Sequence, residues 1–243
     1  MRRISVAVVL GIMLVGLPAT GVAAVLSIPG SANIFGAGHA SPPDPAGGGG
    51  GTLPPVFALP YSGGGGAIQF SAITGTVFCC NGGIPAVGPD GANIFGGVGF
   101  PDTNINSYGG IAGIQFTERQ MFLVGVFLDG SEPIDPAPAR LTYGATGDTF
   151  LTYYPGLSQV FFIGDGLSGT GSGSTQSFFV PAGATRLFLG FADGFGFIGF
   201  PGGYGDNSGS LSSEFDYQVP EPGTLMLLGL GLAGLSAIRR REN

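Results

Sequence analysis

Leu211-Ser212-Ser213-Glu214-Phe215-Asp216-Tyr217-Gln218 alternates without a break. In an extended chain Leu211, Ser213, Phe215 and Tyr217 fall on one face, and Ser212, Glu214, Asp216 and Gln218 on the other. Successive side chains of a strand point to opposite faces, so this period of two marks a half-buried β-strand. Further short segments precede it. Thr185 to Phe191, Thr175 to Val180, Gln159 to Ile163 and Thr149 to Tyr153 are rich in aromatic and branched residues. Met121 to Leu128 is a continuous apolar run, as a buried central strand requires, and Ala67 to Ala72 sets Ile68 and Phe70 against Gln69 and Ser71. Gly, Pro and Asp fill the gaps, and no long amphipathic helix is written anywhere. The expected body is all-β, an antiparallel jelly-roll-like β-sandwich.

Composition agrees. Of 243 residues 49 are glycine, 44% are hydrophobic and only 9% are charged, which is the reverse of an ordinary disordered chain. The glycines follow no period of three, so collagen is excluded. Twenty Phe and seven Tyr can fill a core. A formal charge of −7 repels a phosphate backbone, so nucleic acid is not an expected partner. Lysine is absent, and five of the eight arginines (Arg2, Arg3, Arg239, Arg240, Arg241) sit at the two ends.

Those ends carry their own signals. Arg2 and Arg3 precede the apolar run Ile4 to Leu17, then Pro18 and the small residues Val22-Ala23-Ala24. That order is the three-part plan of a secretory signal peptide, here residues 1–24 as a signal helix cleaved after Ala24. About 14 apolar residues reach only ~21 Å, short of the ~30 Å hydrocarbon core a retained anchor must cross. At the other end, Val219-Pro220-Glu221-Pro222-Gly223 is followed by a Leu/Gly-rich segment to Ile238 and then Arg239-Arg240-Arg241. The prolines end any preceding strand. Residues 223–238 are expected to form a transmembrane helix, its flanking arginines held on the cytoplasmic side.

These last residues, 219–243, resemble the PEP-CTERM protein-sorting signal. Pro220-Glu221-Pro222, the short apolar stretch and the arginine cluster match its three parts in order. The resemblance implies export by the secretion machinery and processing by an exosortase-type membrane enzyme near Pro220 to Pro222. Delivery would then be to the cell surface or extracellular polysaccharide of a Gram-negative bacterium, after a transient membrane anchor.

Between the ends, residues 25–219 hold three arginines against 13 acidic residues, a net of −10. Residues 25–61, with Ser41-Pro42-Pro43-Asp44-Pro45 running into Gly47 to Gly51, read as a flexible Gly/Pro-rich arm, leaving 62–218 as the sandwich. Ala-Asn-Ile-Phe-Gly occurs at 32–36 and again at 92–96, without the wider similarity a solenoid needs.

Chemistry is sparse. The single histidine, His39, lies in the arm, so a nucleophile in the body has no base. Glu118, Glu132 and Glu214 offer carboxylates, but nothing marks a convergent pair, and an enzyme is not expected. Gly164-Asp165-Gly166-Leu167-Ser168-Gly169 fits G-x-G-x-x-G formally, without the strand-to-helix context that gives that pattern meaning. Cys79 and Cys80 are adjacent, leaving a vicinal disulfide, free thiols or intermolecular pairing open. The strongest constellation is Asp193, at the end of one expected strand, with Gly203, Asp206 and Asn207 just before the next. Neighbouring antiparallel strands bring those ends together, and oxygen-only donors in a glycine loop suit Ca²⁺. The same residues also stabilise tight turns without any metal.

Val180 to Gly190, the Asp193 loop and Tyr204-Gly205-Asp206-Asn207-Ser208-Gly209-Ser210 resemble the C-terminal half of the bacterial calcium-dependent galactose-specific lectins, with weaker similarity back through Ile68 to Gly75. The resemblance implies a jelly-roll whose last loop holds Ca²⁺. Asp193, Asp206 and Asn207 would supply side-chain oxygens, Gly203 a carbonyl, and an early loop near Cys79 another, with sugar hydroxyls completing the shell. Two departures stand out. The loop from Asp193 to Asp206 is longer here and carries Phe195, Phe197 and Phe200, and the family's sugar-contacting histidine and glutamine have no match. The expectation is an exported, non-catalytic surface or matrix protein binding Ca²⁺ and carbohydrate. The alternatives are a purely structural matrix component and, more distantly, an enzyme acting on polysaccharide.

Overall fold

The computed structural model describes residues 21–219, except 63, 83–84, 95–101 and 146, together with Gly231. The expected signal helix and transmembrane helix therefore lie outside the described residues, apart from Gly21 to Ala24 and Gly231. No helix among the described residues is long and apolar enough to cross a membrane.

The alternating segment lies in an 11-residue strand, Ser208–Gln218. Leu211, Ser213, Phe215 and Tyr217 are buried, while Ser212, Glu214 and Gln218 are exposed. Thirteen strands appear among the described residues: β1 (Gly21–Pro29), β2 (Val56–Ala58), β3 (Ala67–Phe78), β4 (Thr103–Ile105), β5 (Ile114–Phe116), β6 (Val124–Leu128), β7 (Leu141–Tyr143), β8 (Thr152–Tyr153), β9 (Val160–Phe162), β10 (Ser177–Phe179), β11 (Arg186–Gly190), β12 (Ile198–Gly199) and β13 (Ser208–Gln218). Every strand expected from the sequence has a counterpart, and the fold is all-β. The strands form three sheets, ordered β1-β13-β3-β10-β8, β2-β11-β6-β9 and β12-β4-β5-β7.

Pairing is not purely antiparallel, which corrects the sequence expectation. β10 with β8, β12 with β4 and β5 with β7 run parallel, each over two or three residues. So short a strand has no period to betray its direction. The long pairs are antiparallel: β13 lies between β1 and β3, in register from Gly21 opposite Gln218 to Pro29 opposite Ser210. On the β3 side the register shifts between Glu214 and Phe215, leaving Ser71 as the extra residue of a bulge.

Two buried clusters separate the sheets. Ile68, Phe70, Phe178, Leu211, Phe215 and Tyr217 of the first sheet share one with Phe127, Phe161, Leu187 and Leu189 of the second. Val124, Val126, Leu128, Phe162 and Phe188 of the second sheet share the other with Ile105, Ile114, Phe116 and Tyr143 of the third. The second sheet is thus covered on both faces, which is why β6 reads as an unbroken apolar run. Each fully buried Phe is worth about 2–3 kcal/mol, so the aromatic content is what stabilises three thin layers.

The arm is a second correction. Residues 30–55 are irregular, but they are packed, and the compact unit runs from Gly21 to Pro220. Ile34, Phe35 and Ala37 are fully buried. The Asn33 side chain holds the segment, its Oδ1 accepting from the Phe35 N–H at 3.0 Å and its Nδ2 donating to the carbonyls of Pro43 at 2.9 Å and Gly50 at 3.0 Å. Glycine permits flexibility, but it also lets backbone meet backbone. A Cβ on Gly51 would stand 2.2 Å from the Ser31 carbonyl oxygen, so only glycine fits there.

Candidate functional site

β11 runs into Phe191-Ala192-Asp193, and the chain returns through Gly203 to enter β13 at Ser208. Between them the Tyr204 ring is fully buried. Its hydroxyl donates to the Phe191 carbonyl and accepts from the Asp193 N–H, both at 2.9 Å, pinning the end of one strand to the turn before the other. The turn Tyr204–Asp206 is seated from the far side by the glycine run of the arm. The N–H groups of Gly203, Tyr204 and Gly205 donate to the carbonyls of Gly47, Gly49 and Gly48 at 2.9, 2.9 and 3.1 Å. Gly203 adopts φ 79°, a left-handed conformation that favours glycine.

This scaffold brings the four expected residues together. Asp193 is 3% exposed, and burial pushes its carboxyl up to about 7. Bonds from Asn207 and from the Gly194 N–H oppose that rise, and the nearby negative charge of Asp206 adds to it. Asp193 Oδ1 accepts from the Gly194 N–H and Oδ2 from Asn207 Nδ2, each at 2.7 Å. Asn207 Oδ1 is buried and has no hydrogen-bond partner. A buried acceptor left unpaired costs about 1–3 kcal/mol, so a group that supplied it with a positive partner would be stabilising. Asp193, Gly203 and Asp206 line one cavity of about 120 Å³ with Cys79, Cys80 and Phe195.

Cys79 and Cys80 form a disulfide between adjacent residues. Phe78, just before them, pairs with Ser208, just after Asn207, so the early loop does stand across from the late one. Of the three phenylalanines in the long loop, Phe197 is buried, whereas Phe195 is 81% and Phe200 52% exposed. Among the described residues no group of three or more His, Cys, Asp or Glu could hold a metal ion. A cation here would therefore rest on two carboxylates and neutral oxygens, a donor set that hard cations accept and zinc does not.

Other candidates are placed elsewhere. His39 is pinned rather than free. Its Nδ1 meets Glu132 and its Nε2 the Gly109 carbonyl, both at 2.9 Å, beside a larger cavity of about 240 Å³ lined by Leu128, Asp129, Glu132 and Ile134. Glu214 is exposed on the outer side of β13. Ala24, the expected last residue of the leader, lies within β1 opposite Phe215 in this full chain. Pro220, Glu221, Pro222, Arg239, Arg240 and Arg241 lie outside the described residues. Sequence reasoning missed the roles of Tyr204 and of the Gly47–Gly51 run; the only trace of either was a tyrosine inside the quoted motif.

Residues 218–241 match the PEP-CTERM protein-sorting motif. No curated protein and no solved structure matches the chain. The chain therefore carries the signature of an exported protein that is sorted through its C-terminus to the cell surface and processed by an exosortase-type enzyme.

Proposed function

We propose that the sorted body is a non-catalytic, lectin-like surface or matrix protein that holds Ca²⁺ at Asp193, Gly203, Asp206 and Asn207 and binds carbohydrate through the bound ion. In this reading the first two sheets are the jelly-roll-like sandwich, and the third is an addition to it. The observation that carries it is the unpartnered Asn207 Oδ1 beside a buried carboxylate to which no cationic side chain among the described residues is bonded. The Asp193 and Asp206 carboxylates, the Asn207 amide oxygen and the Gly203 carbonyl are hard oxygens, and Ca²⁺ takes six to eight of these. An ion held there has positions left for hydroxyl groups of a sugar. The exposed Phe195 offers an apolar face of the kind pyranose rings stack on.

A second reading has its own support. Both oxygens of Asp193 already accept hydrogen bonds from within the loop, which suits a metal-free structural turn in a matrix component. A glycan array run with calcium and again with chelator separates the two. Calcium-dependent retention that is lost in Asp206→Ala supports the lectin reading, and no retention under either condition leaves the structural one. For sorting, fractionation of cells making a chain truncated before Pro220 should find it absent from the surface. Normal surface delivery of that chain would contradict the use of the motif.

A further inference from the structure

We propose that the Cys79–Cys80 disulfide is a redox latch that forms on export and shapes the cation site. The inference rests on the calcium reading of that site for its consequence, but not for its mechanism. Three features place the latch. Both cysteines line the same small cavity as Asp193, Gly203 and Asp206. The turn Cys80–Gly82 lies beside the turn Tyr204–Asp206, across that cavity. The strand ends that carry the two turns are neighbours, Phe78 opposite Ser208.

The backbone says why a covalent bond matters there. Cys80 and Asn81 stand at φ 60° and 53°, the left-handed region that non-glycine residues rarely enter. Two such residues in succession need something to hold them. One restraint is the Gly82 N–H, which donates to the Cys79 carbonyl at 3.0 Å and closes the turn. The disulfide ring is the other. With the ring open, Cys80 is released towards ordinary φ values and its contact with the Tyr204–Asp206 turn loosens. Cys79 is buried whereas Cys80 is partly exposed, so a reductant reaches the Cys80 sulfur first.

The chemistry balances with a dithiol as reductant. One thiolate of the dithiol attacks Cys80 Sγ, the Cys79–Cys80 bond breaks, and the Cys79 thiolate leaves and takes up a proton. The second thiol then attacks the mixed disulfide, giving a cyclic disulfide of the reductant and the free Cys80 thiol. Two electrons and two protons pass to the protein. The reverse, driven by a disulfide oxidant of the exported compartment, closes the latch. A chain still in a reducing cytoplasm thus carries an unfinished site, which is completed only outside.

The test compares the full chain oxidised, reduced with dithiothreitol, and reoxidised, together with Cys79→Ser/Cys80→Ser. Hydrogen exchange is read at the amides of 203–208, and Ca²⁺ affinity is read by calorimetry. The expected result is exchange at least tenfold faster in the reduced chain and in the double variant, reversed on reoxidation, with Ca²⁺ binding at least tenfold weaker. Equal exchange in oxidised and reduced chains overturns the latch, even where Ca²⁺ binds both. Redox-dependent exchange in a chain that takes up no Ca²⁺ keeps the latch and removes the calcium reading. Circular dichroism that shows the double variant unfolded shifts the decision to the wild-type chain and its reversible reduction.

Discussion

Two glycine-rich loops of this protein each hold an aspartate, half-buried Asp165 in one and fully buried Asp193 in the other, and they treat it differently. In the loop from Gly164 to Ser174, Asp165 accepts from the Leu167 N–H with Oδ1 and from the Gly171 N–H with Oδ2, both at 2.8 Å. Its neighbour Asp90 accepts from the Asp165 N–H at 2.9 Å. Burial lifts Asp90 to about 6 and the Asp165 charge adds to that, but the same N–H bonds and the Arg119 charge pull it down. In the Asp193 loop no arginine among the described residues answers the carboxylate, Asp206 pushes the same way as burial, and Asn207 Oδ1 is left over. The first loop is closed by its own chain. The second is short of positive charge, and that difference, rather than the count of acidic residues, separates a structural turn from a candidate cation site.

The largest expected effect is on pH dependence. The unfolded Asp193 ionises near 3.8 and the folded one at about 7. The unfolded state therefore loses its proton first, so stability present below about pH 4 falls as pH rises to about 7 and stays low above it. The span is on the order of 4 kcal/mol for a group this buried. Denaturant titrations in chelator should show that fall, and Asp193→Asn should flatten it, making the variant the more stable protein at pH 8. Ca²⁺ should restore the wild type at pH 8 and do little at pH 5, where the proton competes. For Asp90 the corresponding fall should end near pH 6 and not respond to Ca²⁺. A calcium response that follows Asp90→Asn would erase the contrast between the loops.

Next in size is Tyr204→Phe, which leaves the buried Asp193 N–H and Phe191 carbonyl without their shared hydroxyl. Its cost should be about 1–3 kcal/mol by chemical denaturation, with weaker Ca²⁺ binding as the strand end slips. A neutral Tyr204→Phe would mean that the loop is held by the glycine contacts alone. Asp165→Ala should cost about 1 kcal/mol through its lost turn bonds and leave Ca²⁺ affinity unchanged. Phe195→Ser is the smallest, within about 0.5 kcal/mol because the ring is exposed, and its effect should appear only in glycan retention.

The same contrast between local and distant partners decides what the sequence made legible. β13 was readable because eight of its residues alternate and one face is buried from Leu211 to Tyr217. β6 was readable as central because no polar residue interrupts it. β1 was not, since Val22-Ala23-Ala24 also satisfies the small-residue end of a leader, and its strand character comes from β13. The arm misled because Gly47 to Gly51 looks flexible alone, and its partners lie at 203–205, about 150 residues away. That Asp193, Asp206 and Asn207 come near one another was legible from their place after one strand and before the next. What orients them, Tyr204 from within and the glycine run from behind, depends on contacts that no local pattern encodes.

The proposed Ca²⁺ site is the Asp193 loop and not the Asp165 loop. Calorimetric titration of Ca²⁺ into the oxidised full chain at pH 8, beside Asp193→Asn and Asp165→Asn, tests it most directly. One ion per chain, lost in Asp193→Asn and kept in Asp165→Asn, is the expected result. No binding in the wild type, or binding that survives Asp193→Asn, would contradict it.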